Sequence, residues 1–221
     1  MKLSNQTKDI LKNFATINSG IKVSEGNEIK TISAMKNVLA RASVSEEFPQ
    51  GFSIYNLQEF LGATSLLEDP DYQFNETNLS VSDTDSSMSY FYASDGMVIT
   101  PEKMVTMPET EIEFSISADL LQDLQKAASV LGVTDLILES DGTNLTLTVR
   151  DKKNSTSNAF SRIVGQGNGK KFEMYFKIEN LKVLQGNYDV KVSSKGVSHF
   201  KNKDIDLEYF IALEPDSKYD I

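Results

Sequence analysis

Three groups of side chains in this 221-residue sequence have types and spacing that could do chemistry. Asp204, Asp206 and Glu208 alternate, so on a strand they would share one face. Such a row could hold Mg²⁺, which takes oxygen ligands, and would then support an acidic hydrolase. The plainer expectation is a solvated strand edge that charge protects from aggregation. Asp83-Thr84-Asp85 is a second carboxylate pair, within a Ser-rich turn. His199 is the only histidine and sits in an alternating stretch between Val197 and Phe200. An ordinary surface position is expected, since a Ser-His-Asp triad would rest on that residue alone. Gly165, Gly167 and Gly169 resemble a dinucleotide loop only superficially, because a strand-like run, Lys170 to Phe176, comes directly after them. No helix N-terminus then awaits a pyrophosphate, and a hairpin loop is expected. Cysteine is absent, which removes disulfides, thiolate metal sites and a Cys nucleophile. The sequence therefore offers no convincing active site, and neither catalysis, a cofactor nor a metal is expected.

The elements that must position any site can be read from periodicity. Ile10, Leu11, Phe14 and Ile17 share one face of an amphipathic helix over 4–17, with Lys8 and Lys12 opposite. Short strands cover 20–48 around the turn Glu25-Gly26-Asn27. Phe52-Ser53-Ile54 is a brief strand that feeds a helix near 56–67, and 72–99 alternates as antiparallel strands. Pro101 and Pro108 bracket an extended, partly apolar linker. Beyond it, 111–115 reads as a strand and Ser117 caps a helix at 118–131. A hairpin spans 134–150 over Asp141-Gly142, strands cover 159–164 and 171–177, a short helix covers 178–184, and strands return over 187–213.

The order repeats. The pattern F-x-I-x-N-L occurs at Phe52–Leu57 and again, 124 positions later, at Phe176–Leu181. Leu3-Ser4, a helix, then Ile21 and a Gly turn recur as Ile116-Ser117, a helix, then Ile137 and Asp141-Gly142. Tyr72-Gln73-Phe74 is echoed by Tyr188-Asp189-Val190. Ordered echoes of this kind indicate a tandem duplication. The expected fold is α+β: two similar domains, 1–108 and 109–221, each with two amphipathic helices backed by antiparallel sheets.

The net charge is −10, and its distribution is uneven. Residues 1–41 carry seven Lys/Arg against three Asp/Glu, whereas 42–102 carry eleven Asp/Glu and no Lys or Arg. No apolar run is long enough to cross a bilayer, and the start Met-Lys-Leu-Ser lacks a signal-peptide core. No membrane partner is expected.

The stretches Met1–Ser4, Leu11–Gly20, Tyr55–Gly62, Gly186–Tyr188 and Ala212–Ser217 carry a resemblance that spans the chain. They resemble the sliding clamps of T-even-type bacteriophages, the processivity factors of the replicative DNA polymerase. The resemblance implies a homotrimeric ring around double-stranded DNA, without sequence preference, with helices lining the hole. It also implies a replicative polymerase and a clamp loader as partners, in the cytoplasm of the infected bacterial host. Lys8, Lys12, Lys126 and Lys182 would then face the DNA and attract phosphates without reading bases. Asp119 and Asp123 flank Lys126, so the lining would be only weakly positive. Met104, Val105 and Met107 form an apolar run suited to docking partner peptides, or to covering a seam between the domains. The alternative is a two-domain structural or adaptor protein of a phage particle that does not encircle DNA.

Overall fold

Ser4 and Ser117 each open a long helix by the same device. The Ser4 hydroxyl accepts from the Thr7 N–H and the Ser117 hydroxyl from the Leu120 N–H, which satisfies one orphan donor at each helix start. The computed structural model describes residues 1–221. The chain forms two compact units, Met1–Met104 and Val105–Ile221.

The first unit contains α1 (Asn5–Ile17), β1 (Ile21–Val23), β2 (Gly26–Ile32), β3 (Val38–Phe48), β4 (Phe52–Ile54), α2 (Leu57–Thr64), β5 (Asp71–Phe74), β6 (Asn78–Ser82) and β7 (Ser87–Phe91). Strands β4, β1, β2 and β3 pair antiparallel in that order, with Ile21 opposite Ile54. Strands β5, β6 and β7 form a second antiparallel set. Met1 runs beside β5: the Tyr72 N–H donates to its carbonyl at 2.7 Å. Ile10, Phe14, Ile29, Leu57 and Val81 are buried and join the helices to the strands.

The second unit repeats the plan. It holds β8 (Ile112–Ile116), α3 (Ala118–Leu131), β9 (Asp135–Asp141), β10 (Asn144–Arg150), β11 (Phe160–Gln166), β12 (Lys171–Lys177), a 3-10 turn (Ile178–Asn180), β13 (Tyr188–Ser193), β14 (Val197–Asn202), β15 (Leu207–Ala212) and β16 (Lys218–Tyr219). Strands β11, β10, β9, β12 and β16 pair in order, with Leu136 opposite Phe176. Strands β8, β13, β14 and β15 pair in order, with Tyr188 opposite Ile116. Helix α3 ends where the sequence places its stop: Gly132 takes φ 66°, a left-handed cap that glycine adopts without a Cβ penalty.

The two F-x-I-x-N-L segments occupy matching places, each leaving a strand paired with the strand after the long helix. Leu57 and Leu181 are both buried. Beyond the motif the halves diverge, and the second departs from the sequence expectation. After Asn56, whose side chain accepts from the Glu59 N–H, α2 runs for eight residues. After Phe176 only the three-residue 3-10 turn forms, and 181–187 is irregular, so the helix expected at 178–184 is absent. The cause is length. Tyr188 lies seven positions after Leu181, whereas Tyr72 lies fifteen after Leu57. The backbone of the short connection is satisfied by buried tyrosines instead. The Leu184 N–H donates to the Tyr209 hydroxyl at 3.0 Å, and the Tyr188 hydroxyl donates to the Leu184 carbonyl at 2.5 Å. Burial pushes the Tyr188 phenol up to about 12.

Candidate nucleic-acid interface

Helix α1 buries Thr7, Ile10, Phe14 and Ile17, which leaves the opposite stripe to solvent. Lys12 is exposed on that stripe and Lys8 is half-buried at its flank. Lys12 Nζ lies 3.3 Å from Asp9 one turn earlier. Helix α3 buries Leu121, Leu124 and Ala128, and Lys126 is exposed on its far side with Asp119 and Asp123. The buried triplet Thr7, Ile10 and Phe14 maps onto Leu121, Leu124 and Ala128 by a constant step of 114. The same step carries Lys12 onto Lys126 and Asp9 onto Asp123, so both units present an Asp-x-x-Lys pair on the solvent face of their long helix. Asp123 also lies 3.8 Å from Arg162 of β11. Helix α2 packs beside α1 and offers Gln58 and Glu59 to solvent but no cation. Lys182 is exposed, yet it lies on the irregular segment after the 3-10 turn and not on a helix.

The helix starts are held differently. At α1 the Glu46 carboxylate of β3 accepts from the Ser4 N–H and, at 2.5 Å, from the Thr7 hydroxyl. Burial works against the Glu46 charge, but the bonds from Ser4 and Thr7 outweigh it and its pKa is lowered. At α3 a neutral amide does the equivalent work: Asn187 Oδ1 accepts from the Ala118 N–H at 3.1 Å.

The carboxylate rows of the sequence do not assemble a site. Asp204 and Asp206 lie in the bend before β15, and only Glu208 lies on a strand. No cluster of three His, Cys, Asp or Glu side chains has the spacing to hold a metal. Asp83 organises its own turn: its carboxylate accepts from the N–H groups of Glu68, Asp85 and Ser86. These bonds, Glu68 foremost, hold it below the usual carboxylate range. His199 is not an ordinary surface residue. Its ring stacks on Phe210 at 4.6 Å, and Nε2 lies 2.7 Å from Glu208. Strand pairing brings Phe210 directly opposite His199, which local alternation cannot reveal. The hairpin expected at Gly165, Gly167 and Gly169 does not form: β11 pairs with β10 and β12 with β9, so the loop crosses two strands of the sheet, with Gly165 still in β11 and Gly167 and Gly169 in the connection. A Cβ at Gly167 would meet Gly142 backbone at 2.7 Å.

Met104, Val105 and Met107 lie on an irregular segment where one unit ends and the other begins. Val105 is 38% exposed; the two methionines are half-buried.

Two outer strands were not singled out by the sequence. Strand β7 is the last of its sheet and exposes Phe91 (71%). Strand β11 is the last of its sheet and exposes Ile163 (63%), with Val130 of α3 nearby (81%). The signal was present as lone apolar residues on otherwise polar strand positions.

Residues 113–215 match the family model for the gp45 sliding clamp, C terminal, and residues 4–100 match that for the DNA polymerase processivity factor. The sliding clamp of Vibrio phage KVP40 is 33% identical over 97% of this chain and 99% of that one. This chain belongs to the sliding-clamp family. The sliding clamp of Enterobacteria phage T4 is 29% identical over the full length of both chains. Among solved structures, A. fulgidus PCNA bound to the C-terminal region of FEN-1 superposes with a TM-score of 0.73 at 10% identity, covering 98% of each chain. The DNA polymerase III β subunit of Pseudomonas aeruginosa gives 0.64 at 13% identity, over 95% of this chain and 64% of that one. At these identities the likeness is one of clamp fold, an α+β fold with two similar halves.

Proposed function

We propose that this chain is a ring-forming DNA sliding clamp that encircles duplex DNA and tethers the replicative polymerase of a bacteriophage. The observation that carries the reading is the recurrence of Lys12 and Lys126 at one helical position in two copies of a clamp-type domain, 1–108 and 109–221. The exposed stripes of α1 and α3 then face the phosphates, through Lys8, Lys12 and Lys126, with Lys182 as an exposed cation outside the helices. The contact is electrostatic and independent of base sequence. Retention on DNA comes from topology, so no tight binding is required and the chain has no catalytic step of its own.

The ring is a homotrimer. An unpaired strand edge is a template for another chain. Heterologous contacts between two different edges close into a ring when the rotation fits. Strand β7 carries Phe91, within the stretch that lacks any Lys or Arg, and β11 carries Ile163 and Arg162 beside Lys126. Apolar surface and opposite charge favour β7 of one copy against β11 of the next. A clamp loader opens that contact to admit DNA in the cytoplasm of the infected host, and no membrane is involved. The polymerase docks a short apolar peptide on Met104, Val105 and Met107.

The test is product length on a primed circular template with the phage polymerase and loader. The expected result is longer products with this chain, reduced by Lys8→Glu with Lys12→Glu, most strongly at low salt. Products of equal length with and without the chain contradict the proposal. Met104→Asp with Met107→Asp separates docking from a structural seam. An intact trimer without polymerase stimulation supports docking, and loss of assembly supports the seam.

A further inference from the structure

The two Asp-x-x-Lys pairs have a charge pattern that a tight DNA binder would not carry. Lys12 is one of the few cations on α1, and Asp9 stands 3.3 Å from its ammonium, with both side chains more than half exposed. Lys126 is the sole cation of α3, and Asp123 lies one turn before it on the solvent side. Neither aspartate caps its helix, because Ser4 and Ser117 do that work. Neither is buried, so neither is needed by the core. Asp123 reaches Arg162 only at 3.8 Å, between two half-exposed side chains, and such pairs contribute little to stability. The carboxylates are therefore dispensable for folding, yet they occur at one position in both copies.

We infer that Asp9 and Asp123 set the weakness of DNA contact: each competes with phosphate for the neighbouring lysine and keeps the ring mobile. This rests on the reading that the solvent faces of α1 and α3 meet the duplex. In water, a carboxylate one helical turn from an ammonium lowers the potential that a phosphate meets there. At Lys12 a phosphate must displace the Asp9 carboxylate; at Lys126, where the nearby Asp123 pairs with Arg162 instead, repulsion between carboxylate and phosphate speeds release. Without the aspartates, each lysine would release counterions more fully on DNA, and the salt dependence of binding would steepen.

The experiment tracks fluorescent trimers threaded over the free end of a stretched linear duplex and measures their one-dimensional diffusion. Asp9→Asn with Asp123→Asn preserves shape and removes only charge. The double variant is expected to diffuse about threefold more slowly at low salt, the change that one exposed ion pair can supply, and to converge on the wild type as salt rises. Lys12→Gln with Lys126→Gln is expected to diffuse faster. If the lysine variant changes diffusion and the aspartate variant does not, the inference is overturned while the DNA-facing reading stands. If neither variant changes diffusion, the DNA-facing reading itself fails, and the inference with it.

Discussion

The two halves of this chain share one plan but close it differently. In the first, the segment after F-x-I-x-N-L is long enough for a capped helix, α2, which packs beside α1. In the second, the connection is eight residues shorter. A 3-10 turn and two buried tyrosines take over the work of helical hydrogen bonds. The first half holds its long helix by a carboxylate, Glu46, and the second by an amide, Asn187. A duplicated fold thus keeps its strand order and core positions, while the devices that satisfy its backbone groups are free to diverge.

The largest expected effects fall where the halves agree. Leu57→Ala and Leu181→Ala should each cost about 2–5 kcal/mol, because both side chains are fully packed in equivalent places. Denaturant titration of the two variants checks this. A near-neutral result at one site would show that the shared motif no longer does the same job in both halves.

A smaller effect separates them. Tyr209→Phe removes the buried acceptor of the half-buried Leu184 N–H and should cost about 1–3 kcal/mol. The first half has no such dependence: the Tyr90 hydroxyl reaches the Asn56 carbonyl from a more exposed position, so Tyr90→Phe should cost about 1 kcal/mol or less. Equal losses would mean that the tyrosine bonds are not what replaces the missing helix.

Smaller again is a difference in acid response. Glu46 has a lowered pKa in the folded chain, so its contribution is fully present above the ordinary glutamate range. It is lost as pH falls from there through the folded value. Asn187 does not titrate. Hydrogen exchange should therefore show the start of α1 loosening on acidification before the start of α3. Glu46→Gln should flatten that difference, and an α3 start that loosens first would contradict the assignment.

The legible parts of the fold were those encoded locally. Helix α3 could be placed at 118–131 from Ser117 and the apolar spacing of Leu121, Leu124 and Ala128; the structure adds the left-handed Gly132 as its stop. The duplication could be read from F-x-I-x-N-L because it sits at a strand exit and a buried leucine in both copies. The missing helix at 178–184 was readable in principle: the step between repeats drops from 124 at Leu181 to 116 at Tyr188. His199 was not readable, since its partners Phe210 and Glu208 arrive by strand pairing. The edges of β7 and β11 were legible only in part: Phe91 and Ile163 stand out as apolar residues on polar faces, but only the sheet order shows that their strands lack a neighbour. For the proposed DNA-facing set, helical spacing located Lys12 and Lys126 on exposed faces and Lys8, half-buried, at the flank of one, but put Lys182 on a helix that does not form.

The claim that both halves together make a ring around DNA is tested most directly by topology. The chain is loaded onto a nicked circular duplex, then passed through a sizing column in high salt before and after a single cut linearises the circle. A closed ring predicts three 24.6 kDa chains retained together on the circle and lost after the cut. Retention that ignores the cut, or salt that strips circle and linear DNA alike, would contradict it.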